Sequence, residues 1–125
     1  MRLLLDTHLV LWWMNGEASR ISKKALAALG SEGIDPIVSA VTIWEVAIKR
    51  GLGKLEGPDD LLPQLQRAGV ELLPIAARHA DLVGALPLHH RDPFDRLLVA
   101  QAMLEGLALV SDDEALRRYK VEIVW

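Results

Sequence analysis

The chain contains no cysteine. That excludes a disulfide framework and any thiolate metal site, and it fits a reducing cytosol. The unbroken apolar run over residues 9–14 falls far short of the ~18 residues a membrane span requires. The opening MRLLLDTHLVLWWM has the single Arg and apolar residues of a secretory signal, but Asp6 and His8 interrupt it and no small-residue cleavage site follows. A soluble, cytoplasmic protein without membrane association is therefore expected. Internal repeats, low-complexity tracts and linkers are absent, so the 125 residues, 51% of them hydrophobic, are expected to form a single domain over 1–125. A domain of that size buries roughly two-thirds of the surface its unfolded chain exposes, enough to fold without covalent staples.

An excess of positive charge is also missing. The formal net charge of −3 argues against a protein that coats nucleic acid non-specifically. An acidic protein can still act on a polyanion where metal ions compensate its carboxylates. Basic residues do occur in groups, at Arg20, Lys23 and Lys24, at Lys49, Arg50 and Lys54, at Arg91 and Arg96, and at Arg117, Arg118 and Lys120. Each group alone reads as solvated helix surface.

What is present is a series of short apolar runs alternating with helical patterns. Leu3-Leu4-Leu5 is continuously apolar and suits a strand buried on both faces. Further strands are expected over 36–39, 70–74, 107–110 and 121–124. Helices are expected over 8–15, 21–29 (opened by Ser22), 41–50, 58–68 (with Pro58 at its entry), 76–86, 93–105 and 112–118. This alternation predicts an α/β three-layer sandwich, with a central, mostly parallel sheet of about five strands flanked by helices.

The acids invite a structural reading first. Asp92-Pro93-Phe94-Asp95 looks like a helix start, with Asp92 as N-cap, Pro93 at the first helical position and Asp95 reaching back. Ser111-Asp112-Asp113-Glu114 and Thr42-Ile43-Trp44-Glu45 match the same capping pattern. Acids at helix N-termini typically contribute ~0.3–1 kcal/mol through the macrodipole. Topology gives them a second meaning. Right-handed crossovers return every helix antiparallel to its strands, so helix N-termini gather at the carboxyl edge of a parallel sheet. Asp6 ends the first strand, Glu45 lies in the helix after the second, Asp95 opens the helix before the fourth, and Asp112 and Asp113 follow the fourth. All converge on the edge where open α/β sheets place their ligand crevice.

Several carboxylates in one crevice repel one another unless some are protonated or a cation compensates them. Oxygen ligands without cysteine favour Mg²⁺ or Mn²⁺ over Zn²⁺. Such an ion can lower the pKa of water and stabilise charge on phosphodiester oxygens.

These motifs resemble those of the PIN-domain ribonucleases, specifically the VapC-type toxins of bacterial toxin–antitoxin pairs. The resemblance covers essentially the whole chain. It is carried by Leu3-Leu4-Leu5-Asp6-Thr7-His8, by Val38 through Glu45 to Lys49, by His89-His90-Arg91-Asp92-Pro93-Phe94-Asp95-Arg96, and by Leu109-Val110-Ser111-Asp112-Asp113. Tyr119 to Trp125 resembles the family's closing strand.

The resemblance implies a homodimer, Mg²⁺ or Mn²⁺ dependence, endonucleolytic cleavage of RNA and inhibition by a cognate VapB-type antitoxin. It implies Asp6 and Asp95 as direct metal ligands and Asp113 as ligand to a second ion or one acting through water. Glu45 would bind metal or position the attacking water. Asp112 stands beside Asp113 as helper or cap. Asp92 is expected to be an N-cap, with support of the site as the alternative. Thr7 and Ser39 are expected to hold carboxylates or substrate phosphate.

His89 and His90 are adjacent and show no HxxxH spacing, so they read as loop surface or RNA contacts rather than metal ligands. Trp12, Trp13 and Trp44 read as core or interface packing, with a dimer or antitoxin surface in view. Two rival readings stand beside this one. One is a receiver-type phosphoacceptor domain; the other is a catalytically inactive PIN-like binding module.

Overall fold

The computed structural model describes residues 2–125. Its five strands are β1 (Arg2–Leu5), β2 (Asp35–Ser39), β3 (Glu71–Leu73), β4 (Ala108–Val110) and β5 (Ile123–Val124). They form one sheet in the order β3-β2-β1-β4-β5, and every pairing is parallel. The helices are α1 (Thr7–Met14), α2 (Lys23–Leu29), α3 (Ala40–Gly51), α4 (Leu61–Arg67), α5 (Ala77–Val83) and α6 (Pro93–Glu105), with short 3₁₀ turns at Ala18–Arg20 and Glu114–Arg118. The order differs from the 2-1-3-4-5 arrangement of receiver-like doubly wound folds, which removes the phosphoacceptor reading.

The apolar run of β1 explains the layering. Alternate side chains of a strand point to opposite faces, and here both faces are covered. Leu3 and Leu5 pack into one core with Leu9, Val10, Val38 and Val110. Leu4 packs into the other with Ile37, Leu98 and Leu109. In register, Leu4 sits between Ile37 of β2 and Leu109 of β4. α1, α2 and α4 supply the first core, while α6 with Leu82, Val83 and Leu86 covers the second. At the end of β2, α3 sends Val41 to one core and Val46 to the other.

Helix ends bear out some sequence expectations and correct others. Ser22 caps α2 by accepting from Ala25 N. Asp92 caps α6 by accepting from Phe94 N and Asp95 N, with Pro93 in the first turn. α6 stops at Gly106, whose φ of 65° is the left-handed conformation that glycine adopts at least cost. Thr42 is not a cap, because α3 already begins at Ala40 under the side chain of Ser39. Ser111 is not one either: the turn after β4 is 3₁₀, confined to Glu114–Arg118, and is capped by Asp113. The helix expected from Pro58 starts only at Leu61, since Gly57-Pro58-Asp59-Asp60 has turn chemistry and Asp59 and Asp60 form a turn. No helix among the described residues is long and apolar enough to cross a membrane.

Candidate active site

At the carboxyl edge of the sheet β1, β2 and β4 end side by side, and their following residues carry the acids. Asp6 follows β1 and caps α1, accepting from His8 N at 3.0 Å. Its other oxygen accepts from the Ser111 hydroxyl at 2.6 Å, so β4's exit loop anchors β1's acid. Asp6 is buried at 4% exposure. Burial alone would raise its pKa, but the interaction with His8, the Ser111 hydroxyl and the His8 amide outweigh it and hold the carboxyl below its usual value. His8 Nδ1 lies 3.8 Å from Asp6, and that pairing raises the imidazole pKa against the opposing effect of burial.

Glu45 projects from the second turn of α3 and is 2% exposed. Thr7 donates to its Oε1 at 2.7 Å, and Lys49, one helical turn on, donates to its Oε2 at 2.6 Å. Thr42 Oγ1 completes the chain at 3.0 Å from Thr7 Oγ1. Burial works against the Lys49 charge, yet the hydrogen bond to Glu45 and the charges of Glu45, Asp92 and Asp95 raise its pKa. Lys49 Nζ also lies 3.8 Å from Asp92. The basic group at 49–54 therefore does not act as a unit of solvated surface: Lys49 faces the acids.

Asp95 sits in the first turn of α6. The reaching-back contact expected of a capping box does not form; Asp92 N donates instead to His90 Nδ1 at 3.0 Å. The Asp95 carboxylate lies 3.2 Å from His90 Nε2. Burial first, then the charges of Asp6, Asp92 and Glu45, push its pKa up to about 7 despite His90. Repulsion of this kind among neighbouring carboxylates is what a bound cation would offset.

Asp113 receives the His90 ring. His90 Nε2 stands 2.7 Å from Asp113 Oδ2, while Asp113 Oδ1 accepts from Ala115 N at 3.0 Å. Ligand atoms of His90, Asp95 and Asp113 all lie within 4.8 Å of one another, the geometry of a small cation site. The histidine's own bonding limits its part in such a site. Because Nδ1 accepts from Asp92 N, a neutral ring carries its proton on Nε2. His90 therefore donates to the acids, and ligating through Nε2 would require the Asp92 bond to break.

Of the two adjacent aspartates, Asp113 joins the cluster and Asp112 stays exposed on the rim. Asp6, His8, Trp12, Arg20, Asp95 and the two aspartates border one open cleft of about 460 Å³. Thr7 supports a carboxylate, as the sequence suggested. Ser39 does not touch one: its hydroxyl donates to Gln101 Oε1 and accepts from Val41 N. It ties β2 and α3 to α6, and so acts on the site only through the scaffold.

His90, Lys49, Ser111 and His8 are the site residues that sequence reasoning passed over. Lys49 stands four residues after Glu45, a helical pair spacing that the sequence does carry, whereas Ser111 and His90 reach their acids from other segments. Arg96 and Tyr119 hold the loop that presents His90. Arg96 donates to Val83 O at 2.9 Å and Pro87 O at 3.0 Å, and Tyr119 Oη accepts from His90 N at 3.1 Å.

The donor set fits a hard divalent ion. It is oxygen-rich, carries more negative charge than its own lysine and histidines neutralise, and leaves the most perturbed acid open to the cleft.

Fold and site together define an acid-edged parallel α/β nuclease-like domain, and the chain belongs to the PIN domain family, whose profile matches residues 3–122. More particularly, it is 32% identical over 121 residues to Ribonuclease VapC22 of Mycobacterium tuberculosis, covering 94% of this chain and 91% of that protein. Its fold is similar to VapBC2 from Rickettsia felis bound to a promoter DNA fragment, with a TM-score of 0.70 and 16% identity over 98% of this chain and 97% of that one. DNA-bound VapBC from Salmonella typhimurium is also similar, with a TM-score of 0.67 and 17% identity over 98% and 96% of the two chains.

Proposed function

We propose that this protein is a Mg²⁺- or Mn²⁺-dependent endoribonuclease and the toxin of a toxin–antitoxin pair, acting in the cytoplasm as a single domain over residues 1–125. The observation that carries the reading is the gathering of carboxylates at one sheet edge: Asp6 and Glu45 are buried there, and the half-buried Asp95 and Asp113 bring oxygens within 4.8 Å of one another. Carboxylates so arranged need a cation to be ionised together near neutral pH. The likeness to a protein named as a ribonuclease supports RNA as the substrate.

Asp6, Asp95 and Asp113 would hold the ion, with Glu45 as the fourth carboxylate. A bound divalent ion supplies Lewis acidity towards phosphodiester oxygens and lowers the pKa of water. The chain's own residues do the positioning. Ser111 and the His8 amide fix both oxygens of Asp6. Thr7 and Lys49 fix both oxygens of Glu45, and Lys49 balances its charge. His90 orients Asp113. Asp92 starts α6 and so aims Asp95. Asp112, on the rim, is placed to meet solvent or substrate.

A VapB-type antitoxin and a second copy of the chain are the proposed protein partners. Trp44 and Ile48 of α3 and Leu52 at its C-cap recur at one-turn spacing and are 50%, 38% and 64% exposed. An apolar stripe of that kind supports a protein interface. Of the core and interface alternatives for Trp44, its exposure favours the interface; its ring meets Phe94 edge-on at 4.9 Å.

The test is cleavage of unpaired RNA with Mg²⁺ or Mn²⁺. Activity should disappear in EDTA and in Asp6→Asn and Asp95→Asn, with both variants still folded by circular dichroism. Full activity in EDTA, or in folded Asp95→Asn, overturns the metal-site assignment, whereas a folded parent that cleaves no RNA with either ion favours the inactive binding module.

A further inference from the structure

The acid cleft continues into a second one. His8, Trp12 and Arg20 line both, and the second, of about 500 Å³, extends over Leu11, Leu55 and Gly57. His8 and Trp12 are one turn apart on α1 and so share a face, their ring centroids 6.1 Å apart. The Arg20 guanidinium lies 4.8 Å from the Trp12 ring centroid, and Trp125 backs the indole at 6.1 Å. Both the His8 and Arg20 side chains are 59% exposed.

We infer that His8, Trp12 and Arg20 form the subsite for an unpaired nucleotide flanking the scissile phosphate of an RNA strand. This rests on the ribonuclease reading and adds where the strand runs. An aromatic face beside a guanidinium suits a base and its phosphate, because the ring stacks and the cation meets the backbone. Arg20 is the basic residue bordering both clefts, so it is placed where a polyanion must pass the acids. Leu11 and Leu55 give an apolar floor beside Gly57, while Asn15 and Glu56 offer polar atoms to a base edge. The volume suits a single nucleotide, and a base can enter only if it is out of a duplex stack. The two clefts are continuous through three shared residues, so a strand whose phosphate meets the acids would run on across His8, Trp12 and Arg20.

The test compares Trp12→Leu, Trp12→Phe and Arg20→Gln. Leu keeps apolar packing against the core but removes the aromatic face, and Phe restores it. Arg20 is exposed, so its replacement leaves folding intact. In steady-state cleavage of an unpaired, mixed-sequence RNA, Trp12→Leu and Arg20→Gln should raise KM about tenfold, with the effect on KM rather than kcat. Trp12→Phe should stay near the parent.

The same substitutions in an Asp95→Asn background, with a fluorescein-labelled unpaired oligonucleotide, should weaken Kd about tenfold without requiring cleavage. If the parent does not cleave but these Kd values rise as expected, the subsite stands and the nuclease reading fails. Unchanged KM and Kd in folded Trp12→Leu and Arg20→Gln overturn the subsite and assign the cleft to a protein partner.

Discussion

Asp95→Asn should stabilise the metal-free protein at pH 8 while abolishing its RNA cleavage. In the fold the neutral form of Asp95 is favoured, its pKa standing near 7 instead of 3.8. A carboxyl shifted in that direction supports folding fully below its unfolded pKa and loses that support as pH rises through the folded value. The shift corresponds to about 4 kcal/mol of electrostatic cost above pH 7. Relaxation of the cleft and loss of the His90 pairing reduce the gain expected from Asn to about 2 kcal/mol. For a chain of 125 residues, 1 kcal/mol moves Tm by about 4 °C, so the variant should melt roughly 8 °C higher at pH 8 in EDTA. At pH 4 the two proteins should melt nearly together, because Asp95 is neutral in the folded parent. Mg²⁺ or Mn²⁺ should then raise the parent's Tm, by about 2.7 kcal/mol of stabilisation at a hundredfold excess over Kd, and leave the variant's nearly unmoved. A variant less stable than the parent at pH 8, or equally stabilised by metal, would refute the placement of an uncompensated Asp95 in a cation site.

His90→Ala should lower kcat roughly tenfold to a hundredfold, the usual range for a residue that orients a ligand, and His90→Gln, whose amide can still donate to Asp113, should recover part of the loss. Equal activity of all three proteins would show that the His90–Asp113 hydrogen bond has no catalytic role. Lys49→Met should leave Glu45 buried beside a single donor, Thr7. Since Lys49 is 28% exposed, the cost is expected near 1–2 kcal/mol rather than that of a fully buried pair. Urea denaturation at pH 7 reads it directly, and the double variant Lys49→Met/Glu45→Gln should regain most of the stability.

Much of the scaffold could be read from local pattern. The continuously apolar Leu3-Leu4-Leu5 required a strand covered on both sides, and the two cores divide along its alternation. Ser22 and Asp92 announced their helices because an N-cap is a local bond between a side chain and an amide two or three residues on. The same local rule misled at Thr42 and Ser111. Ser39, three residues earlier, had already satisfied the start of α3. Ser111 donates its hydroxyl to Asp6, 105 positions away in sequence, a partner no capping pattern contains. The resemblance already preferred Asp113 to Asp112, and the structure adds the contact that separates them, the His90 ring at 2.7 Å from Asp113.

The amino-acid order by itself determined the parallel α/β plan and the arrival of Asp6, Glu45, Asp95 and Asp113 at one edge, since strand period, helix period and crossover handedness are properties of short segments and chain chirality. Only the tertiary structure decided how those acids are charged and held. Lys49, Ser111 and His90 are assigned to particular oxygens, Asp95 is left exposed to its neighbours' charge, and Trp12 and Arg20 are joined to the acid cleft. Those outcomes depend on burial and on distances of a few ångströms between segments far apart in sequence, where electrostatic and hydrogen-bond energies are set.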